Sequence, residues 1–329
     1  MLEMNAMKNH QKLVVPLEMH GQRIDVTIAQ LIPDYSRAQL THWLKQGKIT
    51  VNQQLLKPKQ KVNQGDVIEL NLDDACFQSN DTSCKPEDIP LTIVYEDDFL
   101  LVVNKPAGLV VHPGAGNREH TLVNALLHHC PALIHLQRAG IIHRLDKDTT
   151  GLLVIAKTMS TQTALVRLMQ NRDIERRYIA LVQGHLISGG EIDTFYGRHP
   201  RNRLKMAVSE YGDRQAITLY SLRKQYQYFT LLNVQLLTGR THQIRVHMAH
   251  INHAVVGDTL YGGRMRIPAD AQPELVECIH QFKRQALHAT QLSFVHPETG
   301  EEMDFSAPLP DDFQHLLKTL DTYLNDPVR

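Results

Sequence analysis

The chain contains no long apolar run, no C-x-x-C pair, no internal repeat and no net charge. A bilayer-spanning helix needs about 20 consecutive apolar residues, and nothing in the 329 residues approaches that length. The N-terminal stretch also lacks the charged-then-apolar order of a secretory signal. These absences read as a cytoplasmic protein with no membrane attachment. Cys76, Cys84, Cys130 and Cys278 are scattered, so free thiols are expected in a reducing compartment, although the Cys76–Cys84 spacing would allow a bridge. With 35 basic and 35 acidic side chains the sum neither requires nor excludes a nucleic-acid partner.

What is present is an ordinary globular balance, 42% hydrophobic and 21% charged, in a chain long enough for a small domain and a large one. The charge is unevenly distributed. Residues 21–70 carry seven Lys or Arg against four Asp or Glu, residues 71–98 carry one Lys against eight acids, and residues 198–205 hold four basic side chains and no acid. Screening confines each charge to about 8 Å at physiological salt, so local basic faces are sufficient for phosphate contact, and they serve equally as solvated surface.

Pattern divides the chain into a flexible N-terminus (1–17), a small unit (18–72), an acidic linker (73–89) and a larger domain (90–325). In the small unit Val26, Ile28, Ala29, Leu31 and Ile32 suit a helix ending at Pro33. A second helix opens with Ser36 as N-cap and carries Leu40, Trp43 and Leu44 at helical spacing. Gly47 ends it, and strands follow at 48–52 and 67–70. In the larger domain, strands are expected at 91–95, 100–104, 152–156, 178–183 and 228–236. A helix capped by Ser160 and another at 242–249 capped by Thr241 accompany them. Strands and helices do not alternate regularly, which points to an α+β domain on a mainly antiparallel sheet.

Four segments stand apart: 104–108 (Asn-Lys-Pro-Ala-Gly), 143–151 (His-Arg-Leu-Asp-Lys-Asp-Thr-Thr-Gly), 177–182 (Arg-Tyr-Ile-Ala-Leu-Val) and 239–247 (Gly-Arg-Thr-His-Gln-Ile-Arg-Val-His). Singly, each has a modest reading. The second would be an Asp-Thr turn with a surface salt bridge, and Tyr178 a half-buried strand tyrosine. Together, with the Val111–Asn117 stretch, Arg198-His199-Pro200, Gly257-Asp258, Tyr261-Gly262-Gly263-Arg264 and the 284–289 run, they resemble the RluA-type family of pseudouridine synthases over nearly the whole of residues 21–310. Residues 21–70, with Asp25, the Ser36-Arg37 opening and the 47–52 turn and strand, resemble an S-four-type RNA-binding domain.

The resemblance implies isomerisation of uridine to pseudouridine, without cofactor, in large-subunit (23S) ribosomal RNA at the stem-loop of the subunit interface. The implied setting is the pre-ribosomal large subunit and the implied enzyme a monomer. The reaction breaks the bond between the uracil ring nitrogen and the sugar, turns the base and rejoins it through carbon five. An ionised carboxylate must approach that bond as nucleophile or base. The resemblance assigns this to Asp146 and pairs it with Arg245, whose planar fork suits two hydrogen bonds to one carboxylate. Tyr178 would stack on the uracil with its hydroxyl near carbon five. Leu145 and Ile244 would supply apolar walls, and Arg144 would fill the space left by a flipped base. Arg240 and His242 would contact phosphate or base, and Arg198, Arg201, Arg203, Arg37 and Lys45 would extend the RNA path.

Three rival readings remain at this point; one, a hydrolytic nucleosidase, would need a positioned water or a metal, and neither is signalled. His242, His247, His250 and His253 raise a metal site, yet no carboxylate set or His-Glu-x-x-His accompanies them. A non-catalytic RNA-binding ribosome-assembly factor would need the small domain but not an Asp, Tyr and Arg brought together.

Overall fold

The computed structural model describes residues 10–32, 37–71, 84–114, 117–202, 204–209, 214–263, 267 and 271–324. In the N-terminal unit, strand β1 (His10–Val14) precedes helices α1 (Ile24–Leu31) and α2 (Arg37–Lys45) and strands β2 (Ile49–Val51) and β3 (Val67–Asn71). The sheet order is β1-β3-β2, antiparallel throughout. Ile24, Ile28, Leu40, Trp43 and Leu44 bury one stripe of each helix against Ile49, Val51, Ile68 and Leu70, so the helical periodicity is satisfied by a core of its own. Residues 10–14, expected to fray, instead pair with β3 along their whole length, and Val15 is buried behind them. Polar alternation in so short a segment hides an edge strand. Pro33 and Ser36 lie outside the described residues, as does Cys76; Cys84, Cys130 and Cys278 are free thiols.

The larger part is a ten-stranded sheet. Its elements in chain order are β4 (Ile93–Glu96), β5 (Leu100–Lys105), α3 (Leu122–His129), β6 (Thr150–Ala156), α4 (Met159–Asn171), β7 (Glu175–Gln183), β8 (Gly190–Arg198), β9 (Met206–Ser209), β10 (Gln215–Gln225), β11 (Phe229–Leu236), α5 (Gln243–His250), α6 (Pro273–Gln281), β12 (Leu287–Val295), β13 (Glu302–Ser306) and α7 (Asp311–Tyr323). The strand order is β4-β5-β6-β12-β7-β11-β10-β8-β9, with β13 added to β12. Every pairing is antiparallel except β6 with β12, so the α+β class with a mainly antiparallel sheet holds.

β5 and β6 read as continuous apolar runs because both faces are covered. Leu101, Val103, Leu153 and Ile155 join the main core with α3, α6 and α7, while Leu100, Val102, Leu152 and Val154 pack with Leu165 of α4 on the other face. At the β6–β12 junction Gly151 has φ +114°, and a Cβ there would lie 2.2 Å from the Ala289 carbonyl oxygen. Only glycine permits so close an approach.

Two expected caps differ. Thr158, not Ser160, caps α4, its hydroxyl accepting the Thr161 N–H at 3.2 Å. α5 starts at Gln243; the preceding His242 adopts φ +60°, and Thr241 gives no cap. The Gln243 side chain anchors the start instead, its oxygen accepting from the Arg240 N–H and its amide donating to the Ile217 carbonyl of β10.

Candidate active site

Asp146 sits in the loop leading into β6, and that loop is pinned from two sides. Lys105, at the end of β5, is 1% exposed and donates to the carbonyls of Pro106, Leu109 and Lys147 at 2.8, 2.9 and 2.8 Å. It thereby ties the Asn-Lys-Pro turn to the residue after Asp146. Burial pulls its ammonium down to about 7 against the pull of Asp148 and Asp146. From the β12 side, Gln285 donates to the Thr149 hydroxyl at 3.0 Å, and His288 meets the Thr150 hydroxyl at 2.8 Å. His143 faces inward. Its Nε2 accepts the Val154 N–H at 3.1 Å, and burial depresses its pKa to about 3, so it serves as a neutral structural acceptor.

Arg245 reaches Asp146 across 99 residues of sequence, its Nη1 donating to Oδ2 at 2.8 Å. α5 aims it. Gln243 and His247, one turn apart, grip β10 through Thr218, while Arg245 projects toward the Asp146 loop. The expected two-pronged grip, however, goes to another acid. Asp258, with a fully buried side chain, takes Nε at 2.7 Å and Nη2 at 3.0 Å, leaving one guanidinium nitrogen for Asp146. Asp258 Oδ1 also accepts the N–H groups of Leu260 and Tyr261 at 2.9 and 3.0 Å. Burial would raise the Asp258 carboxyl, but Arg245 and these N–H groups outweigh it and hold it below the usual range. Burial likewise opposes the Arg245 charge, and the two carboxylates overcome it, raising its pKa. Gly257, at φ +74°, lets the chain pass the Arg284 carbonyl where a Cβ would come within 2.1 Å.

Oδ1 of Asp146 faces His242 Nε2 at 3.8 Å, and His242 Nδ1 lies 2.8 Å from the Tyr261 hydroxyl. The Tyr261 ring also lies 5.2 Å from the Arg245 guanidinium carbon. Tyr178 stands on β7, 4% exposed, and its phenol pKa is raised by burial, lowered by Arg176 and raised again by Asp146. It lines a cleft of about 760 Å³ together with Arg138, Arg144, Arg172, Arg176 and Arg240. Arg176, two residues before Tyr178 on the same sheet face, is 5% exposed; it donates to the Leu236 carbonyl at 3.2 Å, and its Nε has no partner among the described residues.

Leu145 and Ile244 are buried in the same core as Tyr178. Arg144 and Arg240 are exposed, and Arg240 Nε donates to the Gln215 carbonyl at 3.1 Å. Arg198 and Arg201 are exposed near the end of β8, and Arg203 lies outside the described residues. In the N-terminal unit Lys45 is exposed, whereas Arg37 donates to Asp25 at 2.7 Å. The histidines raised as metal ligands turn to separate partners: His242 to Tyr261, His247 to Thr218 and Thr194, and His253 to the Gln183 carbonyl. Among the described residues no group of three His, Cys, Asp or Glu is placed to hold a metal. Sequence reasoning misses the roles of Lys105, Arg176, Asp258 and Tyr261. All four stand inside or beside recurring motifs, but their partners are backbone groups or distant residues that no local pattern announces.

The sequence matches the family model for RNA pseudouridylate synthase over residues 99–250 and that for the S4 domain over residues 22–68. It is 48% identical over 310 residues to the ribosomal large subunit pseudouridine synthase D of Xanthomonas campestris pv. campestris, covering 94% of this chain and 92% of that protein. Proteins of the same name from Pasteurella multocida (50% identical, 93% of each chain) and Escherichia coli O157:H7 (47%, 91% of each) are comparably similar. Among solved structures, human RNA pseudouridylate synthase domain containing 4 superimposes with a TM-score of 0.55 at 26% identity, covering 70% of this chain and 92% of that one. With identity near one half sustained over nine-tenths of its length, the chain belongs to the RNA pseudouridylate synthase family and is an RNA pseudouridine synthase.

Proposed function

We propose that the enzyme isomerises uridines in large-subunit (23S) ribosomal RNA, at the stem-loop of the subunit interface, with Asp146 as the group that attacks the sugar–base bond. The observation that carries the assignment of Asp146 is its 2.8 Å pairing with Arg245, in the loop whose His143 and Arg144 line the arginine-rich cleft that contains Tyr178. The relatives named for the large ribosomal subunit support the substrate. The setting is the cytoplasm, on the pre-ribosomal large subunit, with the enzyme acting as a monomer. No described helix is long and apolar enough to cross a membrane.

In this reading the target nucleotide leaves its stack at a cost of a few kcal/mol, and Arg144 occupies the space it vacates. Asp146 then either attacks the sugar carbon or removes the neighbouring sugar proton as the ring-nitrogen bond breaks and its electron pair leaves on uracil. Arg245 holds one oxygen of the carboxylate, Oδ2. The freed uracil turns against Tyr178, with Leu145 and Ile244 closing the apolar side. Carbon five then bonds to the sugar carbon as the bond to Asp146 breaks, or as Asp146 returns the sugar proton, and the carbon-five proton leaves past the nearby Tyr178 oxygen while the ring nitrogen takes one up. Arg240, Arg198, Arg201, Arg203, Lys45 and Arg37 carry phosphates along the RNA path, Arg37 after yielding part of its Asp25 pairing.

Tritium release from RNA labelled at uracil carbon five tests the assignment. Wild type releases label and Asp146→Asn, folded and still binding RNA, releases none; turnover by the Asn variant would overturn it. Mapping pseudouridines in 23S ribosomal RNA from a deletion strain tests the substrate.

A further inference from the structure

Arg245 leaves one oxygen of Asp146 unclaimed, and the ring that faces this oxygen has the Tyr261 hydroxyl against its other nitrogen. Tyr261 Oη accepts the Met206 N–H at 2.8 Å, which leaves its own proton available to His242 Nδ1, also 2.8 Å away. Burial keeps His242 below its ordinary pKa, with Arg245 and Arg144 adding to the effect and Asp146 and Asp258 opposing it. A neutral imidazole that accepts at Nδ1 carries its proton on Nε2. That Nε2–H faces Asp146 Oδ1 at 3.8 Å. The ring is further fixed edge-on to Tyr261, with centroids 5.6 Å apart, and by a left-handed backbone of φ +60°.

A gap of 3.8 Å is too long for a direct hydrogen bond. At that separation one oxygen atom can sit about 2.8 Å from both groups, accepting from the nitrogen and donating to the carboxylate. A hydroxyl is the group with both capacities. The side chains are 20% and 14% exposed, so the gap is reachable. In an internal nucleotide the 3′ and 5′ sugar oxygens are esterified, and the 2′-hydroxyl is the hydroxyl left to the ribose. It is attached beside the carbon at which the sugar–base bond breaks, where Asp146 must come. We propose that His242 Nε2–H and Asp146 Oδ1 form a two-point seat for the 2′-hydroxyl of the target nucleotide, with Tyr261 setting the tautomer that makes the seat work. The seat rests on the reading of Asp146 as the attacking group. It gives the enzyme a means of telling ribose from deoxyribose at the target itself.

The test uses synthetic stem-loops that wild type modifies, prepared in product form with either pseudouridine or 2′-deoxypseudouridine at the target, so that binding is measured without turnover. Wild type should bind the ribose form about five- to tenfold more tightly, the weight of one good hydrogen bond. His242→Ala should abolish that preference and Tyr261→Phe should reduce it. His242→Gln, whose amide nitrogen takes the place of Nε2, should retain most of it and also serves as the folding control. An unchanged ribose preference in His242→Ala, or no preference in wild type, overturns the seat. Label release by Asp146→Asn would instead overturn the reading beneath it, so the two failures are distinguishable.

Discussion

Replacing Asp258 by Asn keeps the shape of the side chain and removes its charge. In the wild type Oδ1 accepts three hydrogen bonds, from Arg245 Nη2, Leu260 N and Tyr261 N, and Oδ2 accepts one from Arg245 Nε. The Asn carbonyl can keep the first three. Its amide then points N–H at the Nε–H of Arg245, donor against donor, inside a site with no exposure. The guanidinium is left with Asp146 as its one full counter-charge. Removing one member of a buried ion pair costs about 3–5 kcal/mol; because the Asn retains the backbone bonds, a loss near the lower end, about 3 kcal/mol, is expected. The kinetic effect is larger than the packing change suggests. Arg245 holds the Asp146 carboxylate through a single bond, and in the proposed mechanism a displacement of about 1 Å at that group costs on the order of 100-fold in rate. Urea unfolding gives the first quantity, and single-turnover tritium release at saturating RNA gives the second. The exposed pair Lys224–Asp321 is the control: Asp321→Asn should change stability by less than about 1 kcal/mol and leave the rate alone. An Asp258→Asn enzyme with wild-type rate and stability would show that Arg245 is aimed by something else.

Three further outcomes follow from the same geometry. Lys105→Met strips three carbonyls of a shared buried donor and should cost about 3 kcal/mol or more in urea unfolding, with a fall in kcat as the Asp146 loop loosens. Buried His247, with its pKa pushed down to about 4, remains neutral in the fold while the unfolded chain takes up its proton near 6.5, so its contribution is intact above pH 6.5 and is lost as pH falls toward 4. The loss approaches about 3 kcal/mol, and His247→Gln should flatten that part of the urea-midpoint profile. Gly151→Ala drives a methyl into the Ala289 backbone and should destabilise by more than about 2 kcal/mol, read as a lowered thermal midpoint.

The parts of this molecule that sequence makes legible are those written in local pattern. Leu40, Trp43 and Leu44 fall one helical face apart and are buried together. The run from Leu152 to Ala156 is apolar throughout because α4 and the main core cover its two faces. Where burial is uneven the pattern fades. β8 and β9, near one end of the sheet, carry mixed residues without the periodicity of a buried strand, and β13, which pairs with β12 alone, alternates but over only five residues. The same contrast holds in the site. Asp146, Tyr178 and Arg245 lie within long motifs. Asp258 has a short Gly-Asp context, and its importance rests on contact with a helix 13 residues away. The position of His242 is legible, but its left-handed backbone is not, because a Thr before a helical run reads as a cap.

The arginine shared between two acids has a consequence for charge as the reaction proceeds. With His242 neutral, the cluster of Asp146, Asp258 and Arg245 carries one net negative charge. In the proposed reaction Asp146 is consumed, as an ester or as a protonated acid; the cluster then becomes neutral, and the negative charge appears on the departing uracil. An arginine paired with Asp146 alone would then be a free cation beside an anionic leaving group, able to hold the base where it lies. With Asp258 bonded to the guanidinium through Nε and Nη2, Arg245 keeps a counter-charge after Asp146 is consumed, and it is no free cation to hold the uracil where it lies.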